Sequence, residues 1–330
     1  MTVEIDGVIK EWGDRLHYTP VIVRQRFNLR KGAPKGLGIQ SKRSASRNTS
    51  QLRDCLERTI NRVPEVVVKI SGGGRNMGAI RAHLGYISRK GSLELEDELG
   101  EIFISKDGIR DLCDSWEKGR IGISDKGGKC REAFNIVLSM PPGTDRKSVK
   151  DAARCFAAEL FSKHQYAFVS HEDEKHPHVH LSVKAIDKEG VRLNPRKADL
   201  QLWRELFAEK MREQGIAANA TPRRARGVTR KSAKQAQHHM RFRDSSVDGA
   251  LLHDAPKPSL QKTKAKAKHD HDGATLKIYR DLAQVLAKNS LDDRKLALKI
   301  MKFVQEMPNM LVKSKRHFPE KRAQGGKSRV

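Results

Sequence analysis

The sequence predicts an α+β domain built on a central antiparallel sheet with flanking helices, followed by a basic helical C-terminal region. Three observations carry that expectation. A strand–helix–strand–strand succession runs from residue 134 to residue 183. Its last strand alternates apolar and polar residues, which leaves one sheet face polar, as antiparallel sheets allow. From residue 221 the composition turns basic and polar, with 27 Lys and Arg against 10 Asp and Glu in the last 110 residues. The expected division is a basic, partly flexible N-terminal extension over 1–62, a folded domain over 63–220, a basic region and linker over 221–274, and a small helical hairpin with a basic tail over 275–330.

Taken in order, residues 30–50 (RKGAPKGLGIQSKRSASRNTS) are rich in Gly, Ser and cations and predict a flexible basic arm. Residues 19–27 have strand character. The folded domain begins at Pro64, where EVVVKI is a short β-branched strand. SGGGR then turns into a helix over 76–89, with Met77, Ile80, Leu84 and Ile87 at helical spacing and Gly91 as a left-handed stop. A glycine loop opening a helix can cradle phosphate, but three glycines alone are weak evidence and an ordinary strand–helix turn is the preferred reading. Residues 92–132 are mixed, with a helical stretch over 109–118. FNIVLSM is a strand ended by Pro141, Pro142 and Gly143. The next helix is expected to open on a capping box of Ser148 and Asp151, with Val149, Ala152, Ala153, Phe156 and Leu160 as its apolar face.

The hairpin that follows is the centre of the sequence. Residues 165–187 read QYAFVSHEDEKHPHVHLSVKAID and hold four of the thirteen histidines, His171, His176, His178 and His180. His178, His180 and Ser182 share one parity; Val179, Leu181 and Val183 share the other. Histidines at i and i+2 of a strand project from one face about 7 Å apart. His171 ends the preceding apolar run, so a turn through 172–177 brings it alongside. Three imidazoles without a thiolate suit a divalent metal with open positions; the alternative is a histidine-rich surface turn.

Beyond the hairpin, VRLNP over 191–195 has edge-strand character, and residues 199–215 predict a helix with Leu200, Trp203, Leu206, Phe207 and Met211 as its face. Residues 260–272 read as a low-complexity linker. Leu276, Tyr279, Leu282 and Leu286 line one further helix; Ser290 caps another that carries Leu296, Ile300, Phe303 and Val304.

The net charge of +26 over 330 residues points to a polyanionic partner, nucleic acid first. No run of some 18 apolar residues suggests a membrane span, and the acidic N-terminus lacks a signal peptide's pattern. Cys55, Cys113, Cys130 and Cys155 form no paired spacing, the pattern of reduced, structural thiols in a cytoplasmic protein.

Several blocks in a fixed order carry a resemblance: VVVKISGGG before a helix, YISRKGSLELED, FNIVLSMPPGT, HEDEKHPHVHLSV and TPRRARGVT. Together they resemble the P-type, T-DNA border endonuclease-like relaxases of conjugative and mobilisable plasmids, members of the HUH endonuclease superfamily. That resemblance implies an HUH-type antiparallel sheet, a histidine-bound Mg2+ or Mn2+, and a tyrosine that cuts one DNA strand at a transfer origin. It implies Tyr86 as nucleophile, with His171, His178 and His180 as metal ligands. Asp173 becomes the acidic residue that orients a histidine or deprotonates the tyrosine; His176 falls at a variable position outside the ligand set. Arg81, Arg89 and Lys90 are candidates for holding the DNA backbone. The implied partners are single-stranded or supercoiled DNA at the transfer origin, relaxosome accessory proteins and a type IV secretion coupling protein. The implied location is the bacterial cytoplasm, with passage to the recipient cell alongside the DNA. Two other readings fit the residues: a histidine-triad nucleotide hydrolase, suggested by the alternating HPHVHLSV, and a non-catalytic basic DNA-binding accessory protein.

Overall fold

The structure, a computed structural model, describes residues 2–17, 49–119, 121–123, 126, 128–228 and 261–307, with the backbone alone over 2–4, 17 and 261–272. Two compact units divide the chain, one of residues 20–48 and 62–220, the other of residues 1–19, 49–61 and 221–330. The expected 19–27 strand and nearly all of the expected 30–50 arm lie outside the described residues.

The first unit is an α+β fold on a six-stranded antiparallel sheet. Its strands are β1 (Val67–Gly72), β2 (Leu95–Asp97), β3 (Ile102–Phe103), β4 (Ala133–Ser139), β5 (Tyr166–His171) and β6 (His178–Lys184). They lie in the order β1-β4-β6-β5-β2-β3. β6 is central because its alternate residues are wanted on two faces. Val179, Leu181 and Val183 join Ile136, Leu138 and Phe168 in a core against helices α5 (Arg146–Leu160) and α6 (Lys197–Glu213). Ala133, Ala167 and Val169 project the other way, into a core with α3 (Met77–Ile87) and α4 (Ser105–Lys118). The period of two thus assigns His178, His180 and Ser182 to the α3–α4 side.

Local chemistry accounts for the joints. Asn76 caps α3, its side chain accepting from the Ala79 amide at 2.8 Å. The glycines before it serve close packing: a Cβ on Gly73 would lie 2.3 Å from the Ala133 carbonyl oxygen, and one on Gly74 would strike Ile80. Gly74 also accepts from the Glu132 and Ala133 amides, so the loop is a strand–helix turn pinned to the start of β4. The end of α3 is tighter than the sequence suggests. Arg89 (φ 53°) and Lys90 (φ 59°) precede Gly91 (φ 89°) in the left-handed region, which costs side-chain-bearing residues about 1 kcal/mol or more each.

Several expected details are corrected. α5 begins three residues earlier than its expected box, capped by Asp145, which accepts from the Ser148 amide and hydroxyl at 2.8 and 2.7 Å. Asp151 instead pairs with Arg154 at 2.5 Å. Residues 191–195 make only the isolated bridge Ile186–Arg192, while the mixed stretch after Gly91 contains the β2–β3 hairpin. Cys55 and Cys113 are buried, but Cys130 and Cys155 are exposed, so a structural role fits only the first pair.

The second unit is helical among its described residues. α1 (Thr2–Trp12), extended by a π-helical turn to His17, and α2 (Thr49–Ile60) share a core with α7 (Gln261–Leu286) and α8 (Leu291–Gln305). Residues expected to form a separate N-terminal extension therefore contribute Ile5, Ile9, Trp12, Leu52 and Leu56 to the packing of the C-terminal helices. Residues 261–272, expected as linker, continue α7 toward its N-terminus, consistent with their Ala, Lys and Gln content and lack of proline. Ser290 caps α8 as expected, and Asp293 on its first turn takes the Arg53 guanidinium at 2.5 Å. No helix among the described residues is long and apolar enough to cross a membrane.

Candidate functional site

The polar face of β6 gathers the three histidines of the expected ligand set. β5 and β6 pair so that His171 lies directly opposite His178, and His180 lies opposite Val169. Ring centroids are 5.0 Å apart for His171–His178, 4.6 Å for His171–His180 and 5.1 Å for His178–His180. One nitrogen from each ring falls within 4.8 Å of the other two, a separation that a single ion can span. His171 is buried; His178 and His180 are half-buried and open to one side.

Hydrogen bonds set which nitrogens are free. His171 Nε2 lies 2.7 Å from the Ile87 carbonyl, and His178 Nδ1 lies 2.9 Å from the His176 carbonyl. A carbonyl only accepts, so those nitrogens carry the protons. Nδ1 of His171 and Nε2 of His178 keep the lone pairs a cation needs. Burial lowers the His180 pKa to about 4, and the nearby charges of His171, His178, His83 and Arg89 push the same way. Burial lowers His171 as well, against the opposing bond to Ile87. Both rings are neutral near pH 7, as ligands must be. The trio can therefore hold a divalent metal. His176 is exposed, and only its carbonyl takes part.

Tyr86 sits on the last turn of α3 and is 64% exposed. Its neighbour Ile87 provides the carbonyl that orients His171, so the phenol-bearing position directly precedes the histidine cluster's anchor. The other tyrosines are unavailable or elsewhere. Tyr166 is buried, its pKa pushed up to about 12 by desolvation and the carboxylates of Glu98, Glu96 and Asp97. Tyr279 is buried in the helical unit, its hydroxyl donating to the Ala225 carbonyl at 2.8 Å. Tyr18 lies outside the described residues.

Asp173 stands in the turn between β5 and β6, with Arg89 Nη2 2.6 Å from its carboxylate. Its partial desolvation works against the charged form, yet its own backbone amide, Arg89 and His171 hold the carboxyl below its ordinary value. Arg89 thus joins the turn after Tyr86 to the turn after His171. Arg81 points elsewhere, to Glu117 of α4 at 3.0 Å, and Lys90 is exposed beside Arg89.

Two residues near the cluster carry no sequence signal of their own. His83, half-buried on α3, is close enough to His180 to influence its charge. Arg146 donates to the carbonyls of His171 and Glu174. Each is an ordinary helix residue in sequence, and only strand pairing brings it near the site.

Comparison with known proteins bears on the same stretch. Residues 87–216 match the family model described as relaxase, MobA/VirD2-like, nuclease domain. By that match, this part of the chain is similar to relaxase nuclease domains. The match covers all three histidines and Asp173 and starts one residue after Tyr86. The T-DNA border endonuclease VirD2 of Rhizobium radiobacter is 30% identical over 194 residues, 53% of this chain and 46% of its own. That of Agrobacterium fabrum is 29% identical over 212 residues, 56% of this chain and 47% of its own. The chain spans about half the length of the curated relatives it matches. A solved chain titled for the molecular basis of vancomycin resistance transfer in Staphylococcus aureus aligns with 48% of this chain and 99% of its own. Its 14% identity and TM-score of 0.30 add nothing to the argument.

Proposed function

We propose that the protein is a DNA relaxase that nicks one strand at a transfer origin, becomes linked to the 5′ end through Tyr86, and pilots the strand during mobilisation. The observation that carries this reading is the convergence of His171, His178 and His180 beneath the helix end that presents the one exposed tyrosine among the described residues.

The residues divide the chemistry in a way that balances. The Tyr86 oxygen attacks the scissile phosphorus, a P–O(Tyr) bond forms, and the P–O3′ bond breaks. The phenol loses its proton and the departing 3′ oxygen gains one, so no bond energy is lost to water and the strand can be rejoined. Asp173, ionised beside Arg89, orients the histidine turn or accepts the phenol's proton. Mg2+ or Mn2+ held by the three histidines would supply positive charge for the scissile phosphate and favour the ionised phenol. Lys90, exposed just beyond Tyr86, would hold the DNA backbone; Arg89 and Arg81, already paired with Asp173 and Glu117, would exchange those partners for phosphate to do so. A histidine-triad hydrolase would need no exposed tyrosine beside the imidazoles.

The wider roles follow the same reading. Single-stranded or supercoiled origin DNA is the substrate, relaxosome proteins and a type IV coupling protein are partners, and action begins in the bacterial cytoplasm. The test is incubation with a single-stranded origin oligonucleotide and Mg2+ or Mn2+. A protein–DNA adduct resistant to denaturation supports the proposal; hydrolysis to free ends without an adduct refutes it.

A further inference from the structure

The turn that carries Asp173 has almost nothing apolar to hold it. Residues 172–176 are all exposed, and burial resumes only at Pro177. Yet this turn must keep His171 and His178 in register and Asp173 in place. Strand pairing fixes its two ends, and the Arg89–Asp173 ion pair is a surface interaction, the kind that contributes little on its own.

Arg146 provides what is missing. It is the first residue of α5, a helix packed on the other face of the sheet. The chain reaches α5 from Ser139, which pairs with His178, so the start of α5 lies at the same end of the sheet as the histidines. From there its guanidinium straddles the turn: Nη1 donates to the His171 carbonyl at 3.0 Å and Nη2 to the Glu174 carbonyl at 2.5 Å. These two carbonyls bracket Asp173. A guanidinium suits the task because it only donates, stays charged and offers parallel N–H groups in a rigid fork. The Asp145 cap and the α5 core fix the backbone from which it reaches.

We propose that Arg146 is a positioning residue of the metal site, bridging the His171 and Glu174 carbonyls so that the turn presents His171 and Asp173 in working geometry. This rests on the reading of the three histidines as metal ligands. It differs from what a basic residue in such a protein would first suggest, an ion pair with DNA phosphate, because it acts before any DNA is bound.

The experiment measures Mn2+ affinity of the full chain without DNA, by titration calorimetry, for the parent, Arg146→Ala, Arg146→Lys and His178→Ala. Amide hydrogen exchange over residues 172–176 is followed in the metal-free proteins. Removal of an outer partner of a metal ligand weakens binding roughly tenfold or more. Arg146→Ala should lose that much Mn2+ affinity, and exchange across the turn should quicken. Arg146→Lys keeps the charge but has no fork, and should remain weakened. Unchanged Mn2+ affinity in Arg146→Ala, beside a weakened His178→Ala, would overturn the proposal alone; so would full recovery in Arg146→Lys. Parental affinity in His178→Ala would overturn the metal reading beneath it. If turn exchange were unchanged in Arg146→Ala, the bridging role would fail whatever the metal does.

Discussion

His171 and His178 share a proposed ligand role, but the structure gives them different second roles, and alanine at each should separate the two. His171 is 3% exposed and its Nε2–H is bonded to the last helical residue of α3 at 2.7 Å. Removing the ring leaves the Ile87 carbonyl without that donor, at about 1–3 kcal/mol. It also forfeits the burial of the ring's carbons, roughly another 1 kcal/mol. His178 is half-buried and bonds only to the His176 carbonyl two residues away, so its loss should cost under about 1 kcal/mol. With roughly 2–4 °C per kcal/mol for a unit of this size, His171→Ala should melt about 4–16 °C below the parent in EDTA, and His178→Ala within about 4 °C of it. Mn2+ at a hundred times its dissociation constant adds about 2.7 kcal/mol to the parent, and neither variant should show that gain. The assay is differential scanning calorimetry with EDTA and with Mn2+. Equal melting of the two variants in EDTA would refute the anchoring role given to His171. A retained Mn2+ shift in either would refute the ligand assignment.

Other expectations follow from the same packing. Arg154 meets Glu96 through two nitrogens and lies over Phe168; Arg154→Ala leaves a nearly buried carboxylate unpaired and should cost about 1–3 kcal/mol in urea unfolding, discounted for the pair's partial exposure. Asp293 is held below the usual carboxyl range, Ser290 and Arg53 outweighing desolvation. A depressed folded pKa contributes stability that is full above the unfolded value, about 3.9, and is lost as pH falls through the folded one. Acid melting curves of the helical unit should therefore flatten below about pH 4 in Asp293→Asn. DNA binding should fall steeply with salt, and neutralising lysines and arginines beyond residue 228 should lower the log–log slope by roughly 0.7–0.9 for each phosphate they had paired with. Charge neutralisation is the cleaner test, because cutting the chain near 244 would uncover Trp12 and Leu56 in the core shared with α7 and α8.

The central hairpin is legible in the sequence because one physical constraint acts at short range. A strand's period of two puts His178 and His180 on one face, and the apolar run just before them ends at His171. α3 and α8 are legible for a similar reason, with caps and apolar spacing a few residues apart. What escapes is set by distant partners. The β2–β3 hairpin buries Glu96 and Asp97, side chains of a type rarely buried unless paired; Arg154, far along the chain, neutralises Glu96. Ser148 and Asp151 match a capping pattern, but Asp145 is the better-placed acceptor and starts α5 a turn sooner. Ile5, Ile9, Trp12 and Leu16 do carry a helical spacing, yet nothing local says that their partners lie beyond residue 275. At the site, the ligands follow from local pattern, whereas the Ile87–His171 bond, the approach of His83 and the Arg146 bridge depend on chain pairing.

The most direct measurement of the central claim is the chemical identity of the DNA link. The protein is incubated with a single-stranded origin oligonucleotide and Mg2+ or Mn2+, digested, and the nucleotide-bearing peptide is sequenced by mass spectrometry. Tyr86→Phe is run in parallel. Because Tyr86 is 64% exposed, loss of its hydroxyl should leave melting and single-strand affinity unchanged, while phenylalanine has no oxygen with which to attack phosphorus. The account predicts the nucleotide on Tyr86, in the peptide containing GYISRK, and no adduct from Tyr86→Phe. An adduct on Tyr18 or Tyr166, or full adduct formation by Tyr86→Phe, would contradict it.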